Sequence, residues 1–84
     1  MPDAGLLKRE YPEGTRVRLR YMDDAFSPPA GTEGTVTFVD DVGTIHVTWD
    51  NGSSLGLIYG TDIFDIVWRI ILHFGKIPYI FYII

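Results

Sequence analysis

The residue types that carry catalytic chemistry are sparse in this 84-residue chain and do not fall into a catalytic spacing. The sequence contains no P-loop, HExxH or Rossmann fingerprint. Ser53-Ser54 has no evident base partner, and the two histidines, His46 and His73, have no metal-binding spacing. We therefore expect a protein that is not an enzyme and that binds no metal and no cofactor.

Two aspartate pairs, Asp23-Asp24 and Asp40-Asp41, are the remaining candidates for a hard-cation site. They lack the spacing of a calcium loop, and aspartates in turns commonly accept hydrogen bonds from nearby backbone N–H groups. We favour that capping role. The same carboxylates, combined with aromatic residues, also predict an acidic rim that binds a basic or proline-containing protein segment. The residues predicted to bind this partner are Tyr21, Asp23, Asp24, Phe26, Asp40, Asp41 and Tyr59, with Trp49 as a further aromatic candidate.

Three arginines, Arg16, Arg18 and Arg20, alternate with apolar residues along one predicted strand. They suggest an anion-binding stripe, and with Lys8 and Arg9 they would give a KOW-like nucleic-acid-binding barrel. They also fit solvated positions that pair across strands with acidic residues. We favour the pairing, so nucleic-acid binding is the second choice of function.

Charge is distributed unevenly along the chain, whose net charge is −4. Residues 1–20 carry five basic and three acidic side chains, whereas residues 21–66 carry eight acidic and no basic side chains. An acidic middle disfavours a nucleic-acid ligand, because that affinity comes largely from phosphate neutralisation. Solvated turn aspartates explain the same charge as ordinary solubility.

Strand-like alternation dominates residues 31–58, around which the rest of the chain is organised. A four-residue loop over residues 40–43 would set Phe38 opposite Ile45, and Gly43 suits the positive φ of such a loop. A three-residue loop, Asp50-Asn51-Gly52, would pair Ile45 with Leu57 and place Gly52 in a left-handed conformation. The predicted core face is Val36, Phe38, Ile45, Val47, Trp49, Leu55 and Leu57.

The flanks of this stretch predict two further strands and one long loop. Residues 15–21 alternate Val17, Leu19 and Tyr21 with the arginines, and Ile63–Ile66 begins another strand after a tight turn over residues 59–62. Residues 22–33 form a loop stiffened by two prolines. Phe26 in this loop is either a partner contact or a plug for one end of a barrel, and we favour the plug because large apolar residues usually find cover.

Both ends of the chain are expected to lie outside the central domain. Residues 1–10 predict a flexible lead-in without the apolar core of a signal peptide, and the chain has no cysteine, which together favour a cytoplasmic location. The apolar tail, residues 67–84, is shorter than a membrane-spanning helix and is interrupted by Gly75, Lys76 and Pro78. It predicts an extension of the last strand through about Phe74, a Gly75-Lys76 turn and a returning strand, with association of copies or a partner through this tail.

Four segments of the chain resemble a known family: YPEGTRVRL, PPAGTEGTV, VDDVGTIHVTWDNGSSLGLI and TDIFDI. They are similar to an uncharacterised small bacterial domain of unknown function that occurs largely in phages, plasmids and conjugative elements. The resemblance covers residues 11–66 and implies a five-stranded SH3-like barrel. It supplies no catalytic or binding residues.

The sequence as a whole predicts an all-β protein, a small SH3-like five-stranded antiparallel barrel over residues 11–66 with a C-terminal apolar β extension. The predicted function is a non-enzymatic protein-interaction module of mobile-element type. One version is an acidic inhibitor that occupies the nucleic-acid channel of a host enzyme or defence nuclease.

Overall fold

The computed structural model describes residues 3–74 and 77–83, with side chains through Trp68. One short helix precedes seven strands. These elements are α1 (Ala4–Glu10), β1 (Arg16–Tyr21), β2 (Glu33–Val39), β3 (Thr44–Trp49), β4 (Leu57–Ile58), β5 (Ile63–Ile66), β6 (Trp68–Phe74) and β7 (Ile77–Ile83).

Five strands form one antiparallel sheet in the order β4-β3-β2-β1-β5, which confirms the predicted five antiparallel strands and the mostly β fold. Successive strands lie side by side because tight turns join most of them, and β5 returns to pair with β1. Within the described residues no ladder joins β4 to β5, so the sheet is open and is not a closed barrel.

The core lies on one face of this sheet, where the apolar positions of the alternating strands meet. Its most deeply buried side chains are Trp49, Leu19, Ile45, Leu57, Val17 and Val36. The Trp49 indole N–H donates a hydrogen bond to the Leu55 carbonyl at 2.8 Å, so the polar atom of the largest core side chain is satisfied. Trp49 is therefore a core residue, and its candidacy as a surface contact was wrong.

The turn after β3 has the predicted three-residue form. The Trp49 N–H donates to the Ser53 carbonyl at 2.9 Å, Ile45 pairs with Leu57, and Gly52 has a φ of 91°. A slip of one residue would turn the apolar residues of β4 away from the core, so the hydrophobic pattern sets this register.

The turn between β2 and β3 differs from the prediction. A bulge lies between Val36 and Phe38, so Phe38 pairs with His46 and Val39 pairs with Ile45. Phe38 is consequently 54% exposed and Val39 takes its place in the core. The prediction of Phe38 as a core residue was wrong because a bulge adds one residue to a strand and reverses the faces that follow it. Gly43 does have the predicted positive φ, 87°.

Residues 4–10 form a helix, so the prediction of a flexible lead-in was wrong. The Asp3 carboxylate accepts a hydrogen bond from the Gly5 N–H at 2.9 Å and caps the first turn. Leu7 is buried to 2% exposure and anchors the helix on the core. A helix this short is stable only through such tertiary packing.

The tail forms the two predicted strands. β6 and β7 pair antiparallel from Trp68↔Ile83 to Phe74↔Ile77 as a separate two-stranded sheet. The prediction that the last strand extends to Phe74 was wrong, because β5 ends at Ile66 and β6 does not continue it within the five-stranded sheet. The Gly75-Lys76 turn lies outside the described residues. No helix in the described part of the chain is long and apolar enough to cross a membrane.

Candidate functional site

The arginine stripe of β1 is paired with carboxylates along its whole length. Arg16 donates to both oxygens of Asp50, at 2.9 and 2.6 Å, and to Glu33 at 3.3 Å. The hydrogen bonds that Arg16 donates to Asp50 raise the pKa of the Arg16 guanidinium. Arg18 also donates to Glu33, at 3.2 Å. This arrangement confirms cross-strand pairing with the acidic middle of the chain.

The other basic candidates occupy different positions. Arg20 donates to the Asp65 carboxylate on the neighbouring strand β5, and Lys8 of α1 contacts Asp41 at 2.6 Å. Arg9 lines a cleft together with Glu10, Arg16 and Trp68. The predicted nucleic-acid-binding residues therefore do not form one cationic surface that is free of carboxylates.

Asp40 organises the turn after β2 and holds His46. One carboxylate oxygen accepts hydrogen bonds from the Val42 and Thr44 N–H groups at 3.1 and 2.9 Å, and the other contacts His46 Nε2 at 2.8 Å. The hydrogen bond to His46 and those from the backbone lower the pKa of the Asp40 carboxyl. The His46 ring stacks on Phe38 with a centroid distance of 4.2 Å. Asp40 thus has the turn-capping role favoured from the sequence.

Three carboxylates of residues 21–66 form no ion pair in the described part of the chain, and all three flank one pair of residues. Tyr21 of β1 lies opposite Ile63 of β5. Asp23 and Asp24 follow Tyr21 closely, and Asp62 directly precedes Ile63. Tyr21 and Ile63 are 57% and 58% exposed, which leaves an apolar pair in solvent beside three carboxylates that have no basic partner among the described residues.

Phe26 projects from the loop that follows this pair. Its side chain is 84% exposed, so the favoured prediction of a barrel plug was wrong. The Asp24 carboxylate accepts a hydrogen bond from the Phe26 N–H at 2.7 Å and the Asp24 carbonyl accepts one from Ser27 at 3.0 Å. These contacts form an Asx turn, which fixes the backbone from which the ring projects.

A shallow aromatic pocket adjoins the same pair of residues. Tyr11 lies at its centre, with ring-centroid distances of 6.4 Å to Tyr59 and 5.5 Å to Phe64. Burial and the neighbouring Tyr59 and Glu10 raise the pKa of the Tyr11 phenol, which keeps it neutral. The residues that line this aromatic pocket are Tyr11, Tyr59, Gly60, Asp62, Ile63 and Phe64.

Comparison with known proteins assigns the chain to a family. Residues 4–67 match the family described as Domain of unknown function (DUF4314). The chain belongs to this family. No curated protein and no solved structure matches the chain. The matched residues include α1, which the resemblance over residues 11–66 left out, so the helix belongs to the DUF4314 domain.

The acidic rim predicted from the sequence is divided in this DUF4314 domain. The loop that carries Asp23 and Asp24 leads into the start of β2, and Asp40 and Asp41 follow its end. β2 has seven residues, or roughly 20 Å at about 3.3 Å per residue. Asp40 and Asp41 also contact His46 and Lys8. Asp23 and Asp24, the two carboxylates of this rim that have no basic partner among the described residues, both lie on the Tyr21 side.

Around the Tyr21–Ile63 pair and the aromatic pocket, the sequence analysis identified Tyr21, Asp23, Asp24, Phe26 and Tyr59. It missed four other residues. Ile63 and Asp62 depend on the pairing of β5 with β1, and Tyr11 and Phe64 depend on packing between distant segments. The turn signal before Ile63 was the only local indication of these four residues in the sequence. Within the described residues, no group of three or more His, Cys, Asp or Glu side chains could hold a metal ion.

Proposed function

We propose that this domain is a non-enzymatic protein-interaction module that binds a basic segment of a partner protein. The observation that carries the proposal is the exposed Tyr21–Ile63 pair with carboxylates on both sides. We call this region the Tyr21 surface. It consists of Tyr21, Asp23, Asp24, Phe26, Tyr59, Asp62 and Ile63.

The exposed apolar residues of the Tyr21 surface support a protein partner. Tyr59 is 44% exposed and lines the aromatic pocket together with the half-exposed Ile63, and Phe26, in the loop that follows Tyr21, is 84% exposed. Contiguous exposed apolar side chains on a small domain are typical of interaction sites, and aromatic residues are enriched in protein interfaces. The Asx turn at Asp24 and the buried Pro28 hold the loop in place, which reduces the entropy lost on binding.

Charge supports a basic partner. Of the eight acidic side chains in residues 21–66, five contact a basic or histidine side chain: Glu33, Asp40, Asp41, Asp50 and Asp65. The other three, Asp23, Asp24 and Asp62, belong to the Tyr21 surface. Lysine or arginine residues of a partner would meet carboxylates whose charge is not already compensated within the described residues.

Nucleic-acid binding has less support. Phosphate groups would have to displace carboxylates that already hold Arg16, Arg18 and Arg20. The version in which the domain imitates a nucleic acid also has less support, because five of the eight acidic side chains in residues 21–66 are internally paired. If the mobile-element origin implied by the resemblance holds, a host protein is the first partner to test.

The fold type that we propose is the SH3-like barrel. Its support is the order of the five strands, with consecutive strands adjacent and the last strand returning beside the first. The long loop after β1 and the tight turn before β5, both predicted from the sequence, give further support.

Paired capture experiments test the proposed function. An array of short peptides containing lysine, arginine and proline would be probed with the unchanged protein, with Tyr21→Ser/Phe26→Ser and with Phe38→Ser. Phe38 is a matched control because it is 54% exposed but lies outside the Tyr21 surface. We expect basic peptides to bind the unchanged protein and the control, and binding to fall at least tenfold in the double variant. Equal binding by all three proteins would contradict the proposal, and so would selection of acidic peptides.

A further inference from the structure

The aromatic pocket combines rings with one fixed carboxylate, which is the chemistry of a cation site. Tyr11 is 9% exposed and forms the floor, whereas Tyr59 is 44% exposed and forms a wall. The Tyr11 ring is tilted by 54° to Tyr59 and by 58° to Phe64, so the three rings present faces in different directions. A cation within about 6 Å of a ring centroid is attracted to the face of the ring.

Asp62 supplies a carboxylate at the rim of this pocket. Its Oδ2 atom accepts a hydrogen bond from the Ile58 N–H at 2.7 Å, which fixes the side chain after the turn over residues 59–62. Asp62 forms no ion pair within the described residues. Its charge is therefore available to a ligand.

The hydrogen bond to Ile58 also selects the kind of cation. A guanidinium group binds a carboxylate best when both oxygens accept from its planar fork. One Asp62 oxygen already accepts from the backbone, so Oδ1 is the less occupied oxygen, and a guanidinium fork would have to share Oδ2 with the Ile58 N–H. A single oxygen beside aromatic rings suits the compact charge of an ammonium group on an apolar stem.

We propose that the aromatic pocket binds the side-chain ammonium group of a lysine residue in the partner segment. The stem of the lysine would lie against Tyr59 and Phe64, and the ammonium group would donate to Asp62 Oδ1. This inference rests on the proposed function, because it names the residue type that the Tyr21 surface recognises. Ile63 belongs to both the pocket and the Tyr21 surface, so one segment can contact the two together.

Nuclear magnetic resonance titration of the full chain with three small probes tests the site. The probes are Nα-acetyl-lysine amide, the norleucine analogue, which keeps the apolar stem without the charge, and the arginine analogue. We expect the lysine probe to shift the ring signals of Tyr59 and Phe64 in a saturable way. The norleucine and arginine probes should bind at least about threefold more weakly. Equal binding by norleucine would show an apolar pocket only, and equal or tighter binding by arginine would overturn the choice of an ammonium group.

Variants at the pocket provide the second arm. Asp62→Asn keeps an oxygen that accepts from Ile58 while it removes the charge, and should weaken the lysine probe about fivefold. Tyr59→Leu should weaken it about threefold, as expected for one exposed cation–π contact. Glu13→Gln is the matched control, because it removes one negative charge from an exposed side chain outside both the pocket and the Tyr21 surface and should leave binding unchanged. Equal losses in Asp62→Asn and Glu13→Gln would reduce the site to general charge attraction and overturn it.

The failure of this inference can be told apart from the failure of the proposed function. If a peptide selected from the array loses binding in Tyr21→Ser/Phe26→Ser but not in Asp62→Asn or Tyr59→Leu, the interaction surface stands and the lysine pocket is wrong. If the lysine probe binds the pocket but no peptide depends on Tyr21 and Phe26, the pocket stands and the wider surface is wrong.

Discussion

Trp49 is the largest side chain in the core and the residue whose truncation should cost the most. It is 1% exposed, and its indole N–H donates to the Leu55 carbonyl. Trp49→Ala should lower the free energy of unfolding by about 3–5 kcal/mol, measured by urea denaturation. Phe38→Ala is the control and should cost less than about 1 kcal/mol, because Phe38 is half exposed. Similar losses in both variants would contradict the assignment of Trp49 to the core and Phe38 to the surface.

Asp40 should make part of the stability depend on pH. Its hydrogen bonds lower its pKa in the folded state, so its contribution is fully present above the pKa of the unfolded chain, about 3.9. The contribution is lost as the pH falls through the lower folded-state value. Asp40→Asn keeps an oxygen that can accept from Val42 and Thr44 but removes the charge beside His46.

The variant should therefore be less stable than the unchanged protein near neutral pH, and the difference should shrink below about pH 4. Thermal unfolding across this range measures it. A difference that stays constant into acid would show that the carboxylate charge does not contribute.

At the scale of elements, α1 should be an integral part of the domain. Leu7 is 2% exposed, whereas the adjacent Leu6 is 42% exposed, so the two residues offer the same substitution in two environments. Leu7→Ala should lower the free energy of unfolding by about 2 kcal/mol or more, and Leu6→Ala by less than about 0.5 kcal/mol. Equal effects on the urea midpoint would mean that the helix does not contribute through Leu7.

The strands were predictable from the sequence because their information is local. Alternation in β1 and β3 and the Asp50-Asn51-Gly52 turn define the pairing of the central strands. The bulge in β2 carries no local signal, since Thr37 and Phe38 continue the alternation by type. The helix was missed for a related reason: seven residues with a single buried anchor give no 3.6-residue periodicity.

At the scale of the whole molecule, the proposed binding surface can be identified only after the carboxylates are paired with the basic side chains of other strands. The sequence predicts that the middle of the chain is acidic and that Tyr21, Phe26 and Tyr59 are candidate contacts. It cannot show which carboxylates are used internally, because Arg16 meets Asp50 across 34 residues of sequence. When the internally paired carboxylates of residues 21–66 are set aside, Asp23, Asp24 and Asp62 remain. They flank Tyr21 and Ile63, which the β1–β5 register places opposite each other.

The tail provides the last prediction, because it forms a sheet of its own. β6 and β7 pair only with each other among the described strands, and a two-stranded hairpin is marginally stable in water without further packing. Residues 67–84 contain no acidic residue and are mostly apolar, so copies of the chain should associate through this hairpin. A chain that ends at Val67 keeps the buried Val67 and its hydrogen bond to the Arg16 carbonyl at 2.8 Å.

We expect this shortened chain to stay folded, because the five-stranded sheet and its core lie within residues 3–67. Trp49 then becomes the only tryptophan, and its blue-shifted emission would report an intact core. Light scattering after size-exclusion chromatography should give the mass of one chain for the shortened protein and a multiple of it for the full chain. If the shortened protein is folded and both forms have the same number of copies, the tail is not the interface. If the shortened protein loses its core signal, residues 68–84 stabilise the fold itself. The stability of the five-stranded sheet would then depend on the hairpin.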